Sequence, residues 1–211
     1  MIRSLIIVLA SFLLAAPLAA QEPARDSLWS SEVSLYYYFL PHQDDFPTLI
    51  GYADHGALHL EARYNYEDLK TASVFGGYNF EFSVTLTDDP TQFSIIPMIG
   101  FAFGRTDAII PGLELRMIDD IFDVYFEYEY TITLPNEETN FFYSWTEIAM
   151  TPIENFRAGG AITSTRLLHS EHDGSVGIFG EYTFGKFKTG LFYFLPLRTD
   201  GFVLAKVAME F

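Results

Sequence analysis

Phe202-Val203-Leu204-Ala205-Lys206-Val207-Ala208-Met209-Glu210-Phe211 decides the fold. Val203, Ala205, Val207, Met209 and Phe211 fall on one side of an extended chain, and Phe202, Leu204, Lys206, Ala208 and Glu210 on the other. Residues 1–20 carry Arg3, then the apolar run Leu5 to Leu14, then Ala19-Ala20 before Gln21, the layout of a cleaved export leader. An alternating strand ending on Phe211, behind such a leader, predicts a transmembrane antiparallel up-and-down β-barrel of the Gram-negative outer membrane. Sec-dependent export is expected to deliver it. Phe211 is the expected C-terminal signal for the outer-membrane assembly machinery. Residues 21–28 are expected to form a short periplasmic tail, and residues 29–211 the barrel.

Composition agrees with this solvent assignment. Hydrophobic residues make up 49% of the chain and aromatics 17%, although 28 acidic residues oppose only 12 basic ones. The formal charge of −16 argues against nucleic acid, whose phosphates require basic partners. No cysteine is present, which excludes disulfides, a lipoprotein anchor and thiol catalysis. After the leader, no apolar run reaches the ~18 residues of a membrane helix. High apolar content without long apolar runs is what a lipid-facing dyad repeat produces.

The same period recurs along the chain. Leu58, Leu60, Ala62, Tyr64 and Tyr66 alternate with His59, Glu61, Arg63, Asn65 and Glu67. Phe122, Val124, Phe126, Tyr128 and Tyr130 alternate with Asp123, Tyr125, Glu127, Glu129 and Thr131. A soluble barrel would turn its apolar face inward. Charged polar faces and aromatics gathered at strand ends favour the inverse, with lipid outside and rings at the membrane boundary.

Eleven strands are evident, at 30–40, 57–67, 71–82, 92–104, 110–117, 122–134, 140–151, 156–166, 174–184, 187–196 and 201–211. Single-chain bacterial barrels have an even number with both termini on the periplasmic side, so residues 46–54 are predicted to supply a twelfth. Ten strands is the alternative, should 110–117 be loop. A twelve-strand cylinder is roughly 24 Å across the backbone and leaves a narrow lumen at most.

The polar face of each strand gives the candidate lumen lining. The strand at 57–67 contributes His59, Glu61, Arg63 and Asn65; residues 110–117 contribute Glu114 and Arg116. Asp123, Glu127 and Glu129 come from 122–134, and Tyr143, Trp145 and Glu147 from 140–151. Arg157, Glu181 and Lys206 complete the candidate eyelet, with Glu32 and Glu210 nearby. A short 118–121 turn would set Arg116 opposite Asp123. Pairing across 135–139 would bring Glu127 near Glu147, two carboxylates that require Arg63 or Arg157 between them.

These residues suit narrow, charge-lined passive passage of small solutes. A closed structural or binding barrel is the alternative, and a lipid-modifying enzyme a weaker one. No enzymatic site is expected, since His59 has Glu61 rather than a hydroxyl two residues on, and the His-x-Ser spacing of membrane phospholipases is absent. His169-Ser170-Glu171-His172-Asp173 has metal-binding residue types but reads better as a solvated loop. Gln43-Asp44-Asp45, Glu137-Glu138 and Glu171 to Asp173 are acidic outer loops that keep the rim soluble. No cofactor is expected, and the expected partners are outer-membrane lipid, the assembly machinery and small solutes.

The stretches His59-Leu60-Glu61-Ala62-Arg63-Tyr64-Asn65-Tyr66-Glu67-Asp68 and Asn140-Phe141-Phe142-Tyr143-Ser144-Trp145-Thr146-Glu147 resemble segments of uncharacterised porin-like outer-membrane barrel proteins of Gram-negative bacteria. The resemblance spans most of the chain after the leader. It implies a single barrel and brings no substrate or catalytic residue with it.

Overall fold

The structure is a computed structural model that describes residues 29–85, 90–135, 139–167, 172–195 and 199–211. The leader, the tail at 21–28 and most of the 169–173 motif lie outside the described residues. The first strands are β1 (Ser30–Phe39), β2 (Phe46–His55), β3 (Leu58–Tyr64), β4 (Thr71–Tyr78) and β5 (Phe80–Thr85). Next come β6 (Pro90–Gly104), β7 (Asp107–Ile118), β8 (Phe122–Leu134) and β9 (Phe141–Ile153). The last are β10 (Phe156–Leu167), β11 (His172–Phe184), β12 (Phe187–Phe194) and β13 (Phe202–Glu210).

Neighbouring strands pair antiparallel, and β1 pairs with β13, so the sheet closes. β4 and β5 hold one register against β6, from Thr71 opposite Gly104 to Thr85 opposite Pro90, with a gap at Tyr78 and Asn79. They make one bent crossing, so the barrel has twelve. The residues at 110–117 belong to β7, paired on both sides, which removes the ten-strand alternative. Past Tyr78, β5 and β6 stay paired as far as Thr85 opposite Pro90, beyond the end of β3. Following the pairings once round gives a shear of about 14, a tilt near ~40° and a diameter of roughly 23 Å.

The two faces separate as the period requires. Leu35, Ile178 and Leu191 are 46%, 60% and 61% exposed, while Glu32, Glu127 and Glu129 are 7%, 4% and 1% exposed. Exposed rings gather toward both ends of the wall, with Tyr78, Phe80, Tyr182 and Phe184 at one end and Phe39, Tyr64 and Phe103 at the other. A continuous apolar outer band over a charged interior is stable in hydrocarbon and would aggregate in water.

The interior is less polar than expected. Trp145, Phe179, Phe192, Phe194 and Leu204 pack into one inner cluster, and Phe75, Met98, Ala102 and Ile110 into another. Small residues opposite large ones make this possible. Phe75 faces Gly100 on β6, where a Cβ would lie 2.3 Å from the ring. Such pairings let big side chains lie flat along the wall, so part of the lumen is filled with apolar side chains.

Candidate functional site

Ionic side chains inside the barrel collect around two arginines. Arg63 on β3 is buried, and its Nε and Nη2 donate to the two oxygens of Glu61 at 2.8 and 3.0 Å. Its Nη1 donates to Glu129 Oε1 at 2.7 Å and lies 3.0 Å from Glu127 Oε1. Glu67 and Glu114 stand farther off, at 3.7 and 4.0 Å. The guanidinium also lies over the Phe75 and Tyr66 rings, at 4.3 and 4.5 Å. Planar, multidentate pairing of this kind is what a guanidinium provides and an ammonium does not.

Arg157 on β10 is the second centre. Its Nε donates to Asp123 at 2.9 Å, and its Nη1 donates to Glu147 at 2.6 Å and Glu181 at 2.8 Å. Lys206 donates to the other oxygen of Glu181 at 2.9 Å. Lys188 donates to Glu32 at 2.9 Å and lies 2.5 Å from Glu210.

This arrangement corrects two expected pairings. Arg116 stands opposite Tyr125, and Asp123 opposite Ile118, so those two do not meet across the ladder. Asp123 is held by Arg157, and among the described residues Arg116 has no ionic partner. Glu127 and Glu147 do not form a shared couple either. Register places Trp145 opposite Glu127 and Tyr125 opposite Glu147, and each carboxylate is taken by a different arginine. Tyr143 and Trp145 do lie on the inner wall, where Trp145 Nε1 donates to Glu147 at 2.8 Å.

A residue expected on the lipid side lies between two parts of the lumen. β3 ends at Tyr64, and Asn65 takes a positive φ of 58°, a left-handed conformation that asparagine tolerates. The turn reverses the strand parity, so Tyr66 points inward. Its hydroxyl donates to Glu127 Oε2 at 2.9 Å and lies 3.2 Å from the Tyr143 hydroxyl, with the two rings edge to face at 5.4 Å. A cavity of about 660 Å³ lies on one side, and one of about 230 Å³ on the other; Tyr66 lines both. Asn65 itself is not a lumen residue. Its Nδ2 donates to Pro47 O at 2.9 Å, and its Oδ1 accepts from Lys70 N at 2.7 Å. Lumen residues that sequence parity left unnamed include Tyr36, Tyr38, Phe75 and Lys188; Lys188 itself marked the inward side of β12.

The turn carrying Tyr66 is anchored by Asp68. The carboxylate accepts from Arg105 and from Thr106 Oγ1, the latter at 2.7 Å. Burial alone would raise the Asp68 pKa; hydrogen bonds from Arg105 and Thr106, with the arginine's charge, outweigh it and hold the group below the ordinary aspartate value. A depressed pKa means the anchor is complete above the unfolded value and is lost as pH falls through the folded one. Hydrogen-exchange protection of residues 65–70 is therefore expected to drop on acidification, and Asp68→Asn to show the lower protection already at neutral pH.

No protein-family model and no curated protein sequence matches the chain. Solved structures do. The KdgM porin superposes with a TM-score of 0.61 over 85% of this chain and 98% of that chain, at 12% identity. The fold is a porin fold. A KdgM porin in complex with disordered oligogalacturonate gives 0.63 at 13% identity, again covering 85% and 98%. The NanC porin gives 0.56 at 9% identity, covering 86% of this chain and 98% of that one. At such identities the porin likeness is one of architecture, and the lumen chemistry must be read from this chain's own residues.

Proposed function

We propose that this chain is an outer-membrane channel giving narrow, charge-lined passive passage to small solutes, with a preference for cations over anions. The observation that carries the proposal is the cavity of about 660 Å³ inside the barrel, lined by both signs of charge with carboxylates in excess. Glu32, Asp54, Glu61, Glu114, Glu127, Glu147 and Glu181 line it on the acidic side, and Arg116, Arg157, Lys188 and Lys206 on the basic side. Low-dielectric walls focus such a field, which concentrates cations and repels anions. One similar porin is seen with oligogalacturonate, a polyanion. An acidic wall disfavours that kind of cargo here.

Lipid around the apolar band and the assembly machinery acting on the strand that ends at Phe211 complete the reading, with Sec-dependent export of the leader. No catalytic step is assigned, since His59, the one histidine on a strand's inner face among the described residues, is bordered by Asp54 and Glu61 rather than a hydroxyl nucleophile. The Tyr66–Tyr143 contact favours a second reading, a closed barrel with a structural or binding role. Planar-bilayer recordings of the purified barrel separate the two. Stepwise conductance with a reversal potential on the cation side is expected in a salt gradient; an absence of steps leaves the closed barrel, and anion preference overturns the electrostatic account.

A further inference from the structure

Below Tyr66, strands β3 and β7 bring together donor atoms of His59, Glu61 and Glu114, of which Glu61 also accepts from Arg63. His59 on β3 is only 3% exposed, and its Nδ1 is bonded to Asp54 Oδ1 across the β2–β3 ladder at 2.8 Å. Its Nε2 is buried with no hydrogen-bond partner among the described residues. That nitrogen lies 3.8 Å from Glu61 Oε2, too far for a hydrogen bond. Glu114 approaches from β7. One donor atom each from His59, Glu61 and Glu114 lies within 4.8 Å of the others.

We propose that His59, Glu61 and Glu114 bind a divalent first-row transition-metal ion, with Zn²⁺ the best match.

Three physical arguments converge on this. The first is orientation: the Asp54 carboxylate accepts from Nδ1 and aims Nε2 at Glu61, so that an incoming ion that displaces the Nε2 proton meets a lone pair facing the carboxylates. A carboxylate–histidine pair of this kind orients and strengthens an imidazole as a metal ligand.

The second is charge. Among the described residues, Arg63 is the one arginine or lysine paired with Glu61, Glu127 and Glu129, with Glu67 and Glu114 behind them. One guanidinium cannot neutralise so many buried carboxylates, and uncompensated buried charge is costly. A divalent ion beside Glu114 supplies what Arg63, 4.0 Å from that carboxylate and already paired with both oxygens of Glu61, does not.

The third is the donor set. One imidazole with carboxylate oxygens suits zinc, whereas an all-oxygen site would suit calcium or magnesium. Bonds of ~2.0–2.2 Å put ligand atoms roughly 3–4 Å apart, so rotation of Glu114, with Glu61 giving one of its two Arg63-bound oxygens to the ion, closes the set without moving the strands. The three residues line the same cavity as Arg116 and Ile118 at its rim, which gives the ion a path in. The site does not depend on whether the barrel conducts.

Isothermal titration of the detergent-folded, EDTA-stripped barrel with ZnCl₂ tests the proposal. One saturable site is expected, weakened at least about tenfold by His59→Gln and by Glu114→Gln, and by Asp54→Asn through loss of the orienting carboxylate. Zinc-edge absorption spectroscopy should show mixed nitrogen and oxygen ligands. The double variant His169→Ala/His172→Ala, which removes the loop histidines, should bind as the wild type does. Failure of the wild type to bind saturably overturns the proposal without recourse to any variant. Unchanged affinity in Glu114→Gln, or loss in the loop double variant, overturns it as well. Heat-dependent mobility on gels confirms that each variant is folded before its affinity is compared.

Discussion

Arg63→Met is expected to destabilise the barrel by about 3–5 kcal/mol, the largest single-residue effect in the molecule. Methionine keeps most of the side-chain volume over Phe75 and Tyr66, so lost packing is small. What is lost is the charge that Glu61, Glu127 and Glu129 share at 2.7 to 3.0 Å. Glu129 is fully buried, and Glu61 and Glu127 meet the lumen only through a small part of their surface. Removing one partner of a buried pair costs more than removing both, because the remaining charges stay desolvated. Adding Glu127→Gln and Glu129→Gln to Arg63→Met is therefore expected to restore most of the stability. Urea unfolding in lipid vesicles, followed by tryptophan fluorescence, measures both. A triple variant no more stable than the single one would show that Arg63 acts through packing instead.

Tyr66→Ala is expected to raise the unit conductance severalfold while leaving the barrel folded. The tyrosine is held by its hydroxyl on Glu127 and by the edge of Tyr143, and its ring lies between the two cavities. Alanine removes that partition and frees a carboxylate oxygen to face the path, so cation preference should also sharpen. Tyr66→Phe keeps the ring and loses the hydroxyl bond; it should change conductance little. Single-channel recordings of the two variants side by side distinguish a steric partition from an electrostatic one. Equal conductance in the wild type and Tyr66→Ala would place the constriction elsewhere.

The architecture was legible because strand parity is local. Residues 202–211 and 58–64 announce their two faces without reference to anything else, and parity placed His59, Glu61, Glu127, Glu129 and Lys206 on the inside. Ionic partners were not legible for a different reason. Arg157 reaches Asp123 on β8 across β9, and Arg63 on β3 reaches Glu129 on β8 across the lumen. Reach of that kind depends on curvature and shear, which no single strand carries. Register is equally non-local: a turn one residue longer or shorter moves every cross-strand pair, as with Arg116 and Asp123.

Tyr66 shows the other failure. The alternation continues nominally through Tyr64 and Tyr66, but a single left-handed residue at Asn65 ends the strand and reverses the facing of the next side chain. The run Asn65-Tyr66-Glu67-Asp68 is polar enough to have marked a turn. The apolar part of the lumen was visible in outline too. Phe192 and Phe194 share the parity of Lys188, and Leu204 that of Lys206. Only the expectation of a uniformly polar interior obscured them.

The inversion on which the account depends is best tested by spin-label accessibility along β13. Because the chain has no cysteine, single cysteines can be placed at successive positions from Val203 to Met209 without background. Labels at Val203, Ala205, Val207 and Met209 are expected to collide with lipid-dissolved oxygen, and those at Leu204, Lys206 and Ala208 to be shielded from it. The opposite phase, or no alternation at all, would contradict the account.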